Sequence, residues 1–123
     1  DLVITGAEWG TGKRANWLSS FELSCKNKDN FLTIGKMGTG IKEKDEEGVS
    51  FGHLTKLLTK FIISESGKTV KLKPGIIVEV AYEELQKSEN YNSGYALRFP
   101  RFVRLREDLS LDDVDDLTKI KSL

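Results

Sequence analysis

Residues 98–106 read Arg-Phe-Pro-Arg-Phe-Val-Arg-Leu-Arg, placing four arginines and two phenylalanines in nine positions without an acid. A guanidinium stays charged at any usable pH and matches phosphate oxygens two at a time, so a fixed row of them suits a nucleic acid or a nucleotide. Read with the two-residue period of a strand, Leu97, Phe99, Val103 and Leu105 share one side while Arg98, Arg104 and Arg106 share the other. Arg101 adds a fourth cation beside Pro100, which cannot donate to a ladder and marks an edge or a bulge. The competing reading is an ordinary solvated strand face, with Phe99 as a core residue on the parity of Leu97.

A second cationic candidate is the loop Gly10-Thr11-Gly12-Lys13-Arg14. Its Gly-Lys pair does not make a phosphate loop, because the G-x-x-x-x-G-K-[ST] spacing is absent and no helix is expected to begin there. Lys13 and Arg14 instead suit sugar-phosphate contacts from a flexible turn, for which salt dependence is the signature. The alternative is a turn that only aids solubility. Gly35 to Gly40 follows a strand without opening a helix and so fails as a dinucleotide fingerprint; Lys36 there is a secondary phosphate candidate. Glu79, Glu83 and Glu84 match neither a metal cage nor an acid pair and are assigned to the barrel surface or a domain interface.

Composition bounds these readings. The 123 residues suffice for one domain with one core. Nineteen basic and nineteen acidic side chains cancel, so no global field marks a nucleic-acid binder. The charge is segregated nonetheless: Glu107, Asp108, Asp112, Asp113, Asp115 and Asp116 follow the arginine run with no base among residues 107–116. Cys25 stands alone, which rules out an internal disulfide, and with His53 as the sole histidine no zinc cluster can form. No signal peptide and no membrane-length apolar run is present, so an intracellular chain is expected. The first residue is Asp, which reads as a piece of a longer protein.

The elements that must position these residues are mostly strands. Residues 2–9 form a first strand, and Phe21, Leu23 and Cys25 alternate with polar neighbours in a second. Residues 27–30 are turn chemistry, 31–37 a third strand, and 42–48 a charged loop. Phe51, Leu54, Leu57, Leu58 and Phe61 then recur at helical spacing after the cap candidate Ser50. A short strand over 70–72 precedes a fourth main strand over 77–85 and a fifth over 95–106. Ser110 is expected to cap a terminal helix running through Val114, Leu117 and Ile120. Three strands, a helix and two strands is the order of a five-stranded Greek-key OB-fold barrel with its helix between strands 3 and 4. Strand count alone leaves an SH3-like barrel open.

The arginine run resembles RFPRFxRxRxDK, the last conserved motif of ATP-dependent DNA ligases of the archaeal and eukaryotic kind. Arg98, Phe99, Pro100, Arg101, Phe102, Arg104, Arg106 and Asp108 match it, and Leu109 stands where that family usually has lysine. Residues 1–15 resemble the DLVVIGAxxGxGKRA that opens the family's C-terminal domain, and residues 32–40 and 78–88 match further segments in order. The resemblance implies an OB-fold domain of a larger enzyme that uses ATP and Mg2+ to seal nicks in double-stranded DNA. It implies that Arg106 and Asp108 help orient departing pyrophosphate when the domain closes on the nucleotidyltransferase domain. It implies minor-groove contacts near the nick from Arg98 and Phe99 when the domain swings to DNA, with Lys13, Arg14, Arg101 and Arg104 also facing DNA. A monomer in an archaeal cytoplasm or a eukaryotic nucleus follows from the same resemblance. The nucleophilic lysine of that chemistry lies in a KxDG motif, which these residues lack, so no catalytic nucleophile and no metal ligand is expected here and the chain alone should not ligate.

Two other classes stay open. An autonomous OB module for single-stranded nucleic acid would need a stacking platform, for which Trp9, Trp17, Phe99 and Phe102 are available. A protein-interaction domain would use the acidic stretch after Glu107 against a basic partner. An RNA-capping nucleotidyltransferase shares the two-domain plan but not the run from Arg98 to Asp108.

Overall fold

A computed structural model of the chain describes residues 1–44 and 48–122. The first three strands are β1 (Leu2–Trp9), β2 (Leu18–Asn27) and β3 (Asn30–Met37), an antiparallel meander in the order β3-β2-β1. Alternation of buried and outward residues is clearest around Phe21 to Leu23 in β2, and bulges interrupt it in β1 and β3. Ile4, Phe21, Leu23 and Ile34 are fully buried while Glu8, Glu22 and Lys36 line the outer surface. Register shifts in β1 next to Gly6 and in the β2–β3 ladder bend the sheet toward closure.

Helix α1 (Phe51–Leu58) starts where Ser50 was expected to cap it, with the Ser50 hydroxyl accepting from the His53 N–H at 3.0 Å. Phe51, Leu54 and Leu58 are buried against the barrel, and Thr55 Oγ1 accepts from the Leu18 N–H at 2.8 Å, tying the helix to β2. Phe61 lies beyond the helix in a 3-10 turn, Thr59–Phe61.

A hairpin follows that sequence periodicity only half revealed: β4 (Ile62–Ser66) and β5 (Thr69–Leu72), joined through Gly67 at φ 61°. β5 pairs with β1, leaving β4 at the outer edge. The two long strands expected over 77–85 and 95–106 each break in two. β6 (Ile77–Ala81) pairs with β1 and with β9 (Arg101–Leu105), while β7 (Glu84–Lys87) pairs with β8 (Tyr95–Arg98) in a separate ribbon. The five-stranded barrel plan holds, with its fourth and fifth strands each bent at a corner.

Closure comes from β3 and β9. Thr39 and Arg101 form a parallel bridge, and the Phe102 N–H donates to the Thr39 carbonyl at 2.7 Å. The order β3-β2-β1-β6-β9 and back to the end of β3 is that of an OB barrel. Gly40, at φ 92°, is required there because a Cβ would run into the backbone carbonyl of Phe102.

The C-terminal stretch differs from expectation. Ser110 caps only a 3-10 turn, Leu111–Asp113, and α2 (Leu117–Lys121) has its own cap in Asp116, which accepts from the Lys119 N–H at 2.7 Å. Val114 drops between them into a small second core with Val3 and Ile77.

Replacing Gly40 by Ala should therefore cost about 2–3 kcal/mol, from a left-handed backbone combined with a direct overlap. Gly12→Ala, at φ 58° with open space around it, should cost about 1–2 kcal/mol. Thermal unfolding of the two variants checks the ordering; equal losses would remove barrel closure as the reason for Gly40.

Candidate nucleic-acid interface

The corner between β8 and β9 is where the arginine run departs from a simple strand. Phe99 adopts φ 52°, a left-handed conformation rare for a residue with a bulky side chain and rarer before a proline. This turn brings Phe102 inward, and a bulge at Val103 in the β6–β9 ladder shifts the parity again. Leu97 points inward at 6% exposure, Phe99 stands 65% exposed, Phe102 is buried at 6%, and Val103 is 45% exposed. Phe99 and Val103 therefore do not share an apolar backing with Leu97, and Phe99 is no core residue. Phe102 takes the inward place and helps close the barrel.

The exposed ring is held by charge. The Arg98 guanidinium lies 5.2 Å from the Phe99 ring centroid and donates to Glu84 at 3.1 Å, with Glu83 at 3.9 Å. Glu84 and Arg98 face each other in the β7–β8 register. Arg101, directly after the corner, is exposed and has no ion pair among the described residues.

Farther along β9 the arginines also meet acids. Arg104 Nε donates to Glu79 at 2.9 Å, its opposite number in the β6–β9 register. Arg106 is the most enclosed: it meets Asp1 at 3.2 Å and Glu79 at 3.5 Å, and it forks onto Asp108 through two bonds of 3.2 and 3.1 Å. Hydrogen bonding from Arg106 holds the Asp108 carboxyl below its ordinary value of 3.8. Five residues of strand separate Arg101 from Arg106, roughly 17 Å at the usual rise, so the run presents two sites rather than one. Glu79 and Glu84 are the residues that spacing did not identify. They are cross-strand partners, and only the register reveals them.

Leu109 packs with Leu111 and Phe31 on the second core around Val3, Ile77 and Val114. The residue in the place of the usual lysine thus contributes apolar cover next to Arg106 instead of charge.

Lys13 and Arg14 sit in a 3-10 turn, Gly12–Arg14, not a bare β-turn. Arg14 pairs with Glu43 at 2.6 Å and lies 4.5 Å above the Phe51 ring; Lys13 is exposed with no ion pair among the described residues. This loop opens from the Trp9–Leu18 end of β1 and β2, and the segment leading from β3 to Thr39 approaches the same end, where a Cβ on Gly38 would lie 2.9 Å from the Ser19 carbonyl. Arg101 bridges to Thr39, just past the end of β3, while Arg106 and Asp108 lie past the other end of β9, beside Asp1.

The remaining candidates take structural places. Trp17 stacks on Phe51 with centroids 6.2 Å apart, and Trp9 donates to Glu65 at 2.8 Å. With Phe102 buried, Phe99 is the one aromatic side chain more than half exposed among these four candidates. Lys36 pairs with Glu8 at 3.2 Å. Burial pushes the Cys25 thiol up to about 11, which makes it an inert core group. The acids after Glu107 are largely spent inside the chain: Asp112 on Lys26, Asp113 on the Ser110 cap, Asp115 on Lys119 and Asp116 on α2. No group of three or more His, Cys, Asp or Glu side chains able to hold a metal ion is gathered among the described residues. No helix among them is long and apolar enough to cross a membrane.

Barrel topology and a cationic corner carrying one exposed aromatic define an OB-fold domain with a surface suited to phosphates. Residues 14–109 match the family described as the ATP dependent DNA ligase C terminal region, and the chain belongs to that family. It is 53% identical over its full length to a DNA ligase of Nanoarchaeum equitans and 48% identical to one of Archaeoglobus fulgidus, spanning 22% of each. The chain therefore covers about a fifth of the length of these relatives. Among solved structures it superposes on the ligase domain from M. tuberculosis LigD with a TM-score of 0.73 at 22% identity, covering 92% of this chain and 36% of that one. That similarity establishes the fold.

The Arg106 to Asp108 fork yields a pH expectation. Because the Asp108 carboxyl titrates below its unfolded value, the stability it contributes is present above the ordinary carboxylate range and is lost as pH falls through its lower folded value. Arg106→Gln should return the Asp108 midpoint toward the ordinary value in an NMR carboxyl titration. An unmoved midpoint would show that Arg106 is not what holds it down.

Proposed function

We propose that this chain is the C-terminal OB-fold domain of an ATP-dependent DNA ligase, with residues 1–123 forming one domain of a longer enzyme. Its role is to close on the nucleotidyltransferase domain during lysine adenylation and to lie on nicked duplex DNA during sealing. The observation that carries this is Phe99, held outward in a left-handed conformation beside Arg98 and Arg101, within a member of the ligase family. A strained backbone that exposes an aromatic side chain costs stability and gains nothing for the core. It makes sense as a wedge toward a groove.

On DNA, Phe99 would press into the minor groove near the nick while Arg98, Arg101, Arg104, Lys13 and Arg14 meet phosphates. The pairs of Arg98 with Glu84 and of Arg104 with Glu79 are exposed, and such pairs contribute little, so phosphate can take over from the acids at small cost. In the closed orientation, Arg106 and Asp108 would face the nucleotide and steady pyrophosphate as it leaves. With Leu109 apolar, Arg106 supplies the cation on this segment, and Asp108 fixes its direction. Magnesium would neutralise phosphate charge in the complete enzyme. No group of three or more His, Cys, Asp or Glu side chains is gathered for it among the described residues.

The single-strand module is the weaker reading, because its stacking platform would rest on Phe99 alone. Titrating the chain with nicked, intact and single-stranded DNA separates the two. Phe99→Gly should weaken nicked-duplex binding by about 1–3 kcal/mol, the range of one lost base–aromatic contact, and abolish preference over intact duplex. It should also leave the protein no less stable thermally, because glycine relieves the left-handed strain. Tighter binding to single strands than to nicked duplex would overturn the ligase-domain reading.

A further inference from the structure

Arg14, Arg98, Arg104 and Arg106 each meet an acid, whereas another group of cations meets none. Residues 48–76 contain Lys56, Lys60, Lys68, Lys71 and Lys73 and a single acid, Glu65, which accepts the Trp9 indole N–H. All five lysines are exposed, and none forms an ion pair among the described residues. The overall balance of charge conceals this segment as it conceals the arginine run.

The fold joins these lysines into a track. Lys68 lies at the tip of the β4–β5 hairpin, and its carbonyl accepts from the Trp9 N–H at 2.9 Å, next to the loop that carries Lys13. Lys71 alternates with the buried Val70 and Leu72 and so projects outward, and Lys73 follows on the same parity. The Lys73 N–H donates to the Phe61 carbonyl at 2.7 Å, which brings Lys60 beside it, and Lys56 lies one helical turn earlier. From Lys68 to Lys56 the track runs on the order of 25 Å, comparable to about seven phosphates of one strand at 3.4 Å each.

We propose that this lysine track is a second DNA-backbone surface, carrying the duplex flank away from the nick and continuous with the Lys13 loop. The inference rests on the nicked-duplex reading above and extends its footprint. Duplex phosphate is the occupant that fits. The track is a chain of mobile point charges without an aromatic platform or a deep cleft, which suits contacts that set position and not sequence. Because these cations give up no internal acid on binding, their whole effect appears as released counterions.

The test compares the parent chain with Lys68→Gln/Lys71→Gln/Lys73→Gln and, separately, with Phe99→Gly/Arg101→Gln, on nicked duplexes of about 12 and 40 base pairs, by fluorescence anisotropy between 50 and 200 mM salt. If three phosphate contacts are lost, the triple variant's salt slope on the long duplex falls by about 2.7, so that its affinity drop across this range is about 40-fold smaller than the parent's. On the short duplex it should differ far less. An unchanged slope on the long duplex overturns the track while leaving the nick reading intact if Phe99→Gly/Arg101→Gln still loses nick preference. A reduced slope with no effect of Phe99→Gly/Arg101→Gln supports the track and overturns the nick reading. A parent chain that binds neither duplex at 50 mM salt overturns both.

Discussion

The barrel closes at the bridge of Thr39 and Arg101, where the Phe102 N–H donates to the Thr39 carbonyl at 2.7 Å. It joins the end of the meander β3-β2-β1 to the start of β9, alongside the packing of β3 on Leu97 of β8. The bond forms because Gly40 has no side chain in the way and because Phe102 enters the core beside it. Once Phe102 is inside, the chain before it must turn sharply, and Phe99 is left outside at positive φ. The closure also sets Arg101 beside Thr39, next to the exposed Phe99. The candidate interface is thus a consequence of how the barrel shuts.

A second constraint is electrostatic. Four arginines in nine residues would repel one another along a bare strand. The register of β6 and β7 supplies Glu79 and Glu84 opposite Arg104 and Arg98, so the run is neutralised there and Arg101 alone of the four meets no acid among the described residues. Such exposed pairs orient a side chain without holding it strongly. The domain can therefore keep a balanced surface when free and still offer its guanidinium groups to phosphate. Arg106 differs because it is more enclosed and bound by three carboxylates, which suits a fixed direction at the other end of β9.

Much of this was legible in the residues alone. The alternation in β1 to β3, the period of α1 with its Ser50 cap, and the order of strands around the helix all follow from local rules, because burial of one face imposes a period on the chain. The arginine run and the loop at Lys13 stand out for the same reason: composition is local. The strand Ile62–Ser66 leaves no such signal, because four of its five residues are exposed and show no alternation. Periodicity merges the C-terminal turn and helix into one because acids suit both a capped turn and a helix start, and here Asp113 and Asp116 cap two separate elements.

The sequence by itself determined an OB barrel, membership in a ligase family, and a cationic segment between Arg98 and Arg106. Only the tertiary structure decided which phenylalanine faces water, which acids hold which arginines, and why Leu109 can be apolar. Those facts depend on register, on the left-handed Phe99 and on a bulge at Val103, and a period-two reading carries no information about breaks that shift its own parity. Partners such as Glu79 and Arg104 lie 25 positions apart in the chain and meet only because two strands align.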